Sequence, residues 1–226
     1  MIVNIENSPT LATVPYMASE SRETRTRGFR KKERTRQQLI TAGLRVLAAK
    51  GQGLTVSDVA AEAGVSNGTF YNYFADREEL VEALAAHSML ALAAATAGEP
   101  IEDPARRFAL ATTRVLARAS DEPTWARALL RLVSRPDSGV DLARYLREDL
   151  AEGQSLGRFD VGPDDAVLDQ VVGLIVMTIR RIAEGQAAPD SVERAVERAL
   201  RGVGLGETEA MELAREARNS LQVPDA

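Results

Sequence analysis

A chain of 226 residues with no cysteine and a single histidine, His87, excludes a disulfide framework, a thiolate metal site and any chemistry that needs two imidazoles. Hydrophobic residues make up 45% of it, charged ones 27% and aromatic ones 4%; with abundant Ala, Leu, Arg and Glu, this composition predicts an all-α protein with an ordinary core. The net charge of −5 argues against a nucleic-acid partner until its distribution is read: residues 1–80 hold 11 basic against 9 acidic side chains, the remainder 17 against 24.

No apolar run reaches the roughly 18–20 residues needed to cross a bilayer, and the first thirty residues lack the basic-then-apolar order of a signal peptide. The expectation is a cytoplasmic protein with no membrane contact. Residues 1–29 carry Pro9, Pro15 and scattered Ser and Thr without periodicity, which predicts a disordered arm. Its end is basic: Arg22, Arg25, Arg27, Arg30, Lys31, Lys32, Arg34 and Arg36 stand among two acidic residues. Such a run is either a solvated tail or a phosphate contact, and the residues after it decide which.

From Thr35 the apolar period turns helical, with Leu39, Ile40, Leu44, Val46 and Leu47 on one stripe that Gly51 ends. Thr55 then opens a short helix with Asp58 as capping partner, its inner face Val56, Val59, Ala60 and Ala63. Gly64 stands where a left-handed stop is wanted. Ser66 caps the next helix, expected to run through Phe74, and Asp76 with Glu79 opens another that reaches about Ala97. Beyond Gly98, proline near the first turn marks further starts at Pro104, Pro123 and Pro163. Helices are expected near 104–119, 122–134, 139–153, 163–186, 190–203 and 207–221, with no alternating strand pattern anywhere.

Residues 55–74, TVSDVAAEAGVSNGTFYNYF, have the shape of a helix-turn-helix: two short helices meeting at a glycine-containing turn. Val65, Phe70 and Phe74 supply a packing side to the second helix. Asn67, Thr69, Tyr71, Asn72 and Tyr73 supply groups suited to base edges and phosphate oxygens. A helical hairpin with a Tyr-rich packing face has a similar pattern; the basic run upstream favours DNA.

The stretch Arg34 to Leu84 resembles the N-terminal domain of the TetR family of bacterial transcriptional regulators. The residues that carry the likeness are Ile40, Ala42, Gly51, Leu54-Thr55-Val56, Val59-Ala60, Ala63-Gly64-Val65-Ser66, Gly68-Thr69-Phe70-Tyr71, Tyr73-Phe74 and Arg77-Glu78-Glu79-Leu80. The resemblance implies a three-helix DNA-binding domain over 30–76, after the arm 1–29, and a helical effector-binding and dimerisation domain over 77–226. It implies DNA contacts at Thr55, Ser57, Asn67, Gly68, Thr69, Tyr71, Asn72 and Tyr73. Arg77, in place of the family's common lysine, becomes a phosphate contact. Ala75-Asp76 departs from the commoner proline-containing turn. In this setting Arg30 and Lys32, just before the first helix, are expected at DNA, with the arm in an adjacent minor groove.

One helix-turn-helix reads too little sequence to select a site in a genome, which argues for a homodimer on a palindromic operator. Residues 167–182, VLDQVVGLIVMTIRRI, are apolar almost all round, so more than one face needs cover; Gly173 permits close approach. The resemblance implies a four-helix dimer interface holding Val172, Ile175, Val176, Ile179, Val196 and Leu200; the other possibility is a helix buried inside its own monomer. The helices over 104–153 then surround an effector cavity with Phe108, Leu116, Trp125, Leu129, Leu132, Tyr145, Leu146, Met177 and Arg180 as candidates, each equally suited to plain core. The expected function is a repressor released by a small molecule of unknown identity. A ligand-independent regulator or activator, and a helical adaptor without DNA binding, are the alternatives.

An enzyme is not expected. One histidine cannot serve a catalytic triad beside a metal motif, no catalytic residues or cofactor suggest themselves, and Gly202-Val203-Gly204-Leu205-Gly206 follows a helix and not a strand. Asp160, Asp164, Asp165 and Asp169 suit helix capping better than a metal site.

Overall fold

The computed structural model describes residues 18–96, 101–134 and 143–221, with side chains from Phe29 onward except those of Ala93, Ala95, Thr96, Arg144 and Tyr145. Among the described residues every regular element is helical. Contacts divide the chain at Gln38 into two units. Helix α1, Ala18–Lys50, begins in the first unit and ends in the second. Residues 18–29, expected to be part of a disordered arm, are thus helical, while 1–17 lie outside the described residues. The reason is local: no proline follows Pro15 here, and Glu, Arg, Lys and Ala are good helix formers. Arg30, Lys31, Lys32 and Arg34 are exposed on α1, and the Thr35 hydroxyl donates to Lys31 O at 3.2 Å.

The second unit begins at Leu39 and, among the described residues, holds the end of α1, a 3₁₀ turn at Gly51–Gly53 and nine further helices. They are α2 Val56–Ala63, α3 Asn67–Tyr71, α4 Arg77–Thr96, α5 Pro104–Asp121 and α6 Pro123–Val133. After these come α7 Ala143–Ser155, α8 Asp165–Ala183, α9 Ser191–Gly202 and α10 Glu207–Ser220. The starts follow the sequence signals. Thr55, Ser66, Asp103 and Asp164 each accept a hydrogen bond from the backbone N–H two or three residues on, capping α2, α3, α5 and α8. Asp164 is thereby a cap, with no metal role to explain.

Two apolar clusters hold this unit together. The first gathers Leu39, Leu47, Leu54, Phe70, Phe74, Leu80 and Leu84, all buried, and admits Ala128 and Leu132 from α6. The second is built chiefly by α5, α7, α8, α9 and α10, around Phe108, Leu116, Leu150, Val171, Val196 and Leu200. Helices α4 and α6 contribute to both: Leu92 and Leu129 belong to the second cluster, Leu84 and Leu132 to the first. The end of α6 packs on the 3₁₀ turn, where the Arg131 side chain covers Gly51.

Candidate nucleic-acid interface and the cavity behind it

The turn between α2 and α3 is made by Gly64 at φ 68°, a left-handed stop whose N–H returns to Ala60 O and Ala61 O. Val65 N–H donates to Ala60 O at 2.9 Å and closes it. Ser66 then caps α3, its Oγ accepting from Thr69 N at 3.1 Å and lying 3.0 Å from Thr69 Oγ1. Phe70 is fully buried against Phe74, ring centroids 5.6 Å apart, which anchors α3 from behind. With that face spent on the core, Asn67, Gly68, Tyr71 and Asn72 are left exposed, and Tyr71 leans edge-on against Phe70.

The helix is shorter than the sequence suggests. It ends at Tyr71; Asn72 and Tyr73 form the turn after it, and Tyr73 is half-buried against the first cluster. Phe74 N–H still reaches Phe70 O at 3.1 Å, so Phe74 is buried without helical continuation. Thr55 and Ser57 are exposed at the start of α2, where the Thr55 hydroxyl also donates to Asp58 at 2.7 Å. Lys50 and the Thr55 hydroxyl, bonded to the Asp58 carboxylate, hold its pKa below the usual value.

Gly68 stands out on α3. A Cβ added there would meet nothing nearer than Ser66 Oγ, at 3.8 Å. Glycine costs a helix roughly 1 kcal/mol relative to alanine, and the protein's own packing gives no reason to bear it.

Arg77 is placed differently from the expectation. Its Nε donates to Leu54 O at 2.9 Å and an Nη to Gln52 O at 3.0 Å, while the other Nη pairs with Glu78. The guanidinium therefore ties the start of α4 to the segment leading into α2. Three of its five N–H donors are thus taken by the chain's own groups. Arg30 and Lys32 sit on helical α1, in the other unit.

Behind this region lies a cavity of about 100 Å³. Its wall takes Leu92 from α4, Phe108, Ala111, Thr112 and Val115 from α5, Leu129 from α6, and Leu146 and Asp149 from α7; α8 adds Val172, Ile175 and Ile179. Of the expected lining residues, Phe108, Leu129 and Leu146 are there. Leu116 and Leu132 are fully buried core. Trp125 is buried outside the wall, with the Arg118 guanidinium 4.8 Å from its ring centre. Met177 is 45% exposed and Arg180 is also exposed, so both face away from the cavity. The side chain of Tyr145 lies outside the described residues. The apolar period points to neither Thr112 nor Asp149, because both are polar: Thr112 lies on the buried stripe of α5, four residues from Phe108 and from Leu116, and Asp149 is half-buried on α7.

Three of the expected dimer contacts are corrected by burial within the chain. Ile179, Val196 and Leu200 are at most 1% exposed, sealed by their own molecule, and Val172 and Ile175 are taken up by the cavity wall. The outer face of α8 instead presents Gly173, Val176, Met177 and Arg180, Val176 only half-buried. A Cβ at Gly173 would meet nothing within 4 Å. On α4, His87 is half-buried; burial and the nearby Arg118 charge lower its pKa, Glu122 acting the other way.

Residues 39–84 match the family model for bacterial regulatory proteins of the tetR family, and residues 103–216, half of the chain, match that for the tetracyclin repressor-like C-terminal domain. The chain belongs to the TetR family. No curated protein matches it. Among solved structures it is similar to RolR in complex with resorcinol, at 27% identity and a TM-score of 0.55, covering 82% of this chain and 95% of that one. A TetR-family regulator from Rhodococcus sp. gives 24% identity and a TM-score of 0.62 over 75% and 98%. CprB from S. coelicolor A3(2) gives 18% and 0.65 over 84% and 98%; these last two share the fold. As a TetR-family member the protein is a transcriptional regulator with an N-terminal helix-turn-helix domain and a C-terminal helical domain. No described helix is long and apolar enough to cross a membrane.

Proposed function

We propose that this protein is a cytoplasmic repressor that binds a palindromic operator as a homodimer and is released by a small-molecule effector. The observation that carries the DNA reading is the exposed, uncharged ridge Asn67, Gly68, Tyr71 and Asn72 on a helix locked from behind by Phe70, with open space around the glycine. Asn and Thr suit base edges, Tyr suits phosphate, and Gly68 lets the backbone approach the duplex. Thr69 on the same helix, Thr55 and Ser57 at the start of α2 and Tyr73 in the turn after α3 complete the contact set.

The outer face of α8 supports the second subunit. Gly173 with Val176 and Met177 makes a shallow apolar strip on which a copy of the same helix packs closely, and the twofold pair sets two recognition helices for successive major grooves, roughly 34–36 Å apart.

The effector reading rests on the cavity and on the two helices that join it to the DNA-binding cluster. Leu129 lines the cavity while Ala128 and Leu132, on the same helix, lie in the first cluster; α4 does the same with Leu92 and Leu84. A molecule that favours one setting of α4 and α6 over the other shifts the spacing of the recognition helices by its differential affinity. RolR, solved with resorcinol bound, supports a small-molecule effector in a protein of this relatedness. The test is fluorescence anisotropy with DNA flanking the protein's own gene, at several salt concentrations, for the wild type and Tyr71→Ala. Specific binding lost in the variant bears the reading out; no salt-dependent binding refutes it.

A further inference from the structure

Resting on the reading of the cavity as the effector site, we infer that it takes a small uncharged ring bearing a hydroxyl group, one that donates a hydrogen bond to Asp149 and exchanges one with Thr112. The volume sets the body. About 100 Å³ is of the order of the 150 Å³ or so that admits benzene, so one ring fits and two fused rings do not without opening the wall. Nine of the eleven wall residues are apolar, which favours a hydrocarbon surface on the ligand.

Two polar groups set the head. Thr112 is 6% exposed and lines the cavity, yet its hydroxyl has no partner among the described residues. That is unusual for a helical threonine: the adjacent Thr113 donates back to Ala109 O at 2.8 Å, and Thr178 to Leu174 O at 2.8 Å. A buried hydroxyl that forgoes this bond is poised for a partner in the cavity. Asp149 places a carboxylate on the wall. Its Oδ1 accepts from Arg107 Nε at 2.8 Å, and among the described residues none donates to the other oxygen. A carboxylate only accepts, so the ligand must donate. An anionic ligand would face that charge in an apolar surround and is disfavoured. A cationic one would be desolvated against a carboxylate already shared with Arg107, which Glu152 also holds.

The probes are phenol, toluene, benzoate and benzylamine, titrated into the full-length protein by calorimetry, with thermal shift as a second readout. Phenol is expected to bind at least tenfold more tightly than the other three. Thr112→Val, which keeps the shape, and Asp149→Asn should each cut that preference over toluene by about tenfold while leaving toluene affinity unchanged. Preference for benzoate or benzylamine overturns the class, as does equal binding of phenol and toluene in both wild type and Thr112→Val; the cavity reading survives either result. Binding of none of the four by folded protein overturns the cavity reading with it.

Discussion

Arg77 separates two roles that a sequence cannot distinguish. As a phosphate contact, its replacement by alanine would leave the fold untouched. As placed here, the guanidinium holds the carbonyls of Gln52 and Leu54, 25 and 23 residues away, with its side chain 30% exposed. Hydrogen bonds to a charged group are worth about 1.5–3 kcal/mol each, and partial exposure lets water recover some of that. Taking the lower figure twice gives a loss of about 3 kcal/mol for Arg77→Ala. At roughly 2–4 °C per kcal/mol for a chain of this size, the melting temperature should fall by about 6–12 °C. Arg77→Lys should lie in between, since one ammonium does not reproduce the two-pronged fork. The assay pairs calorimetric melting with anisotropy against operator DNA over a salt series. The staple leaves the slope of log affinity against log salt unchanged; a lost phosphate contact lowers it by about 0.9 per subunit, about 1.8 for the dimer. A wild-type melting temperature together with the lower slope would refute the placement of Arg77 as a staple.

Gly68→Ala should raise stability by up to about 1 kcal/mol, because alanine is the better helix former and finds open space, while weakening DNA binding at least several-fold; a variant both more stable and fully active would remove the case for close DNA approach. Gly173→Leu and Met177→Glu should each shift the protein toward monomer in sedimentation velocity, and unchanged dimers in both would move the interface elsewhere. Gly153→Ala should destabilise by about 1–3 kcal/mol or more, since the new Cβ would lie 2.1 Å from the buried Phe159 ring; equal urea midpoints would contradict the packing. Asp103→Asn should lower the melting temperature at pH 7. The bond to Arg158 depresses the Asp103 pKa, with burial opposing it and the Ala105 N–H assisting. A depressed carboxylate pKa gives stability that is complete above the ordinary carboxylate range and lost as pH falls through the lowered pKa, so the gap to wild type should narrow as pH falls below that range. A gap that stays constant with pH would mean the ion pair contributes nothing.

What the sequence determined by itself lies within a few residues of where it acts. Thr55, Ser66, Asp103 and Asp164 cap the helices they precede, and Gly64 stops α2, because each bond closes within a turn of backbone. Phe70 and Phe74 were readable as buried and Asn67, Tyr71 and Asn72 as exposed, since one face of so short a helix must meet the core. The tertiary structure decided everything that depends on which surface covers an apolar stripe. Val196 and Leu200 have the same pattern whether a second subunit or their own α5 and α10 seals them, and only the packing shows it is their own. Likewise Asp149 finds Arg107 42 residues away, and Thr112 goes without the backbone bond its neighbour Thr113 makes. Periodicity records that a face avoids water; it carries no address for the partner, which is chosen by how all the helices together exclude solvent.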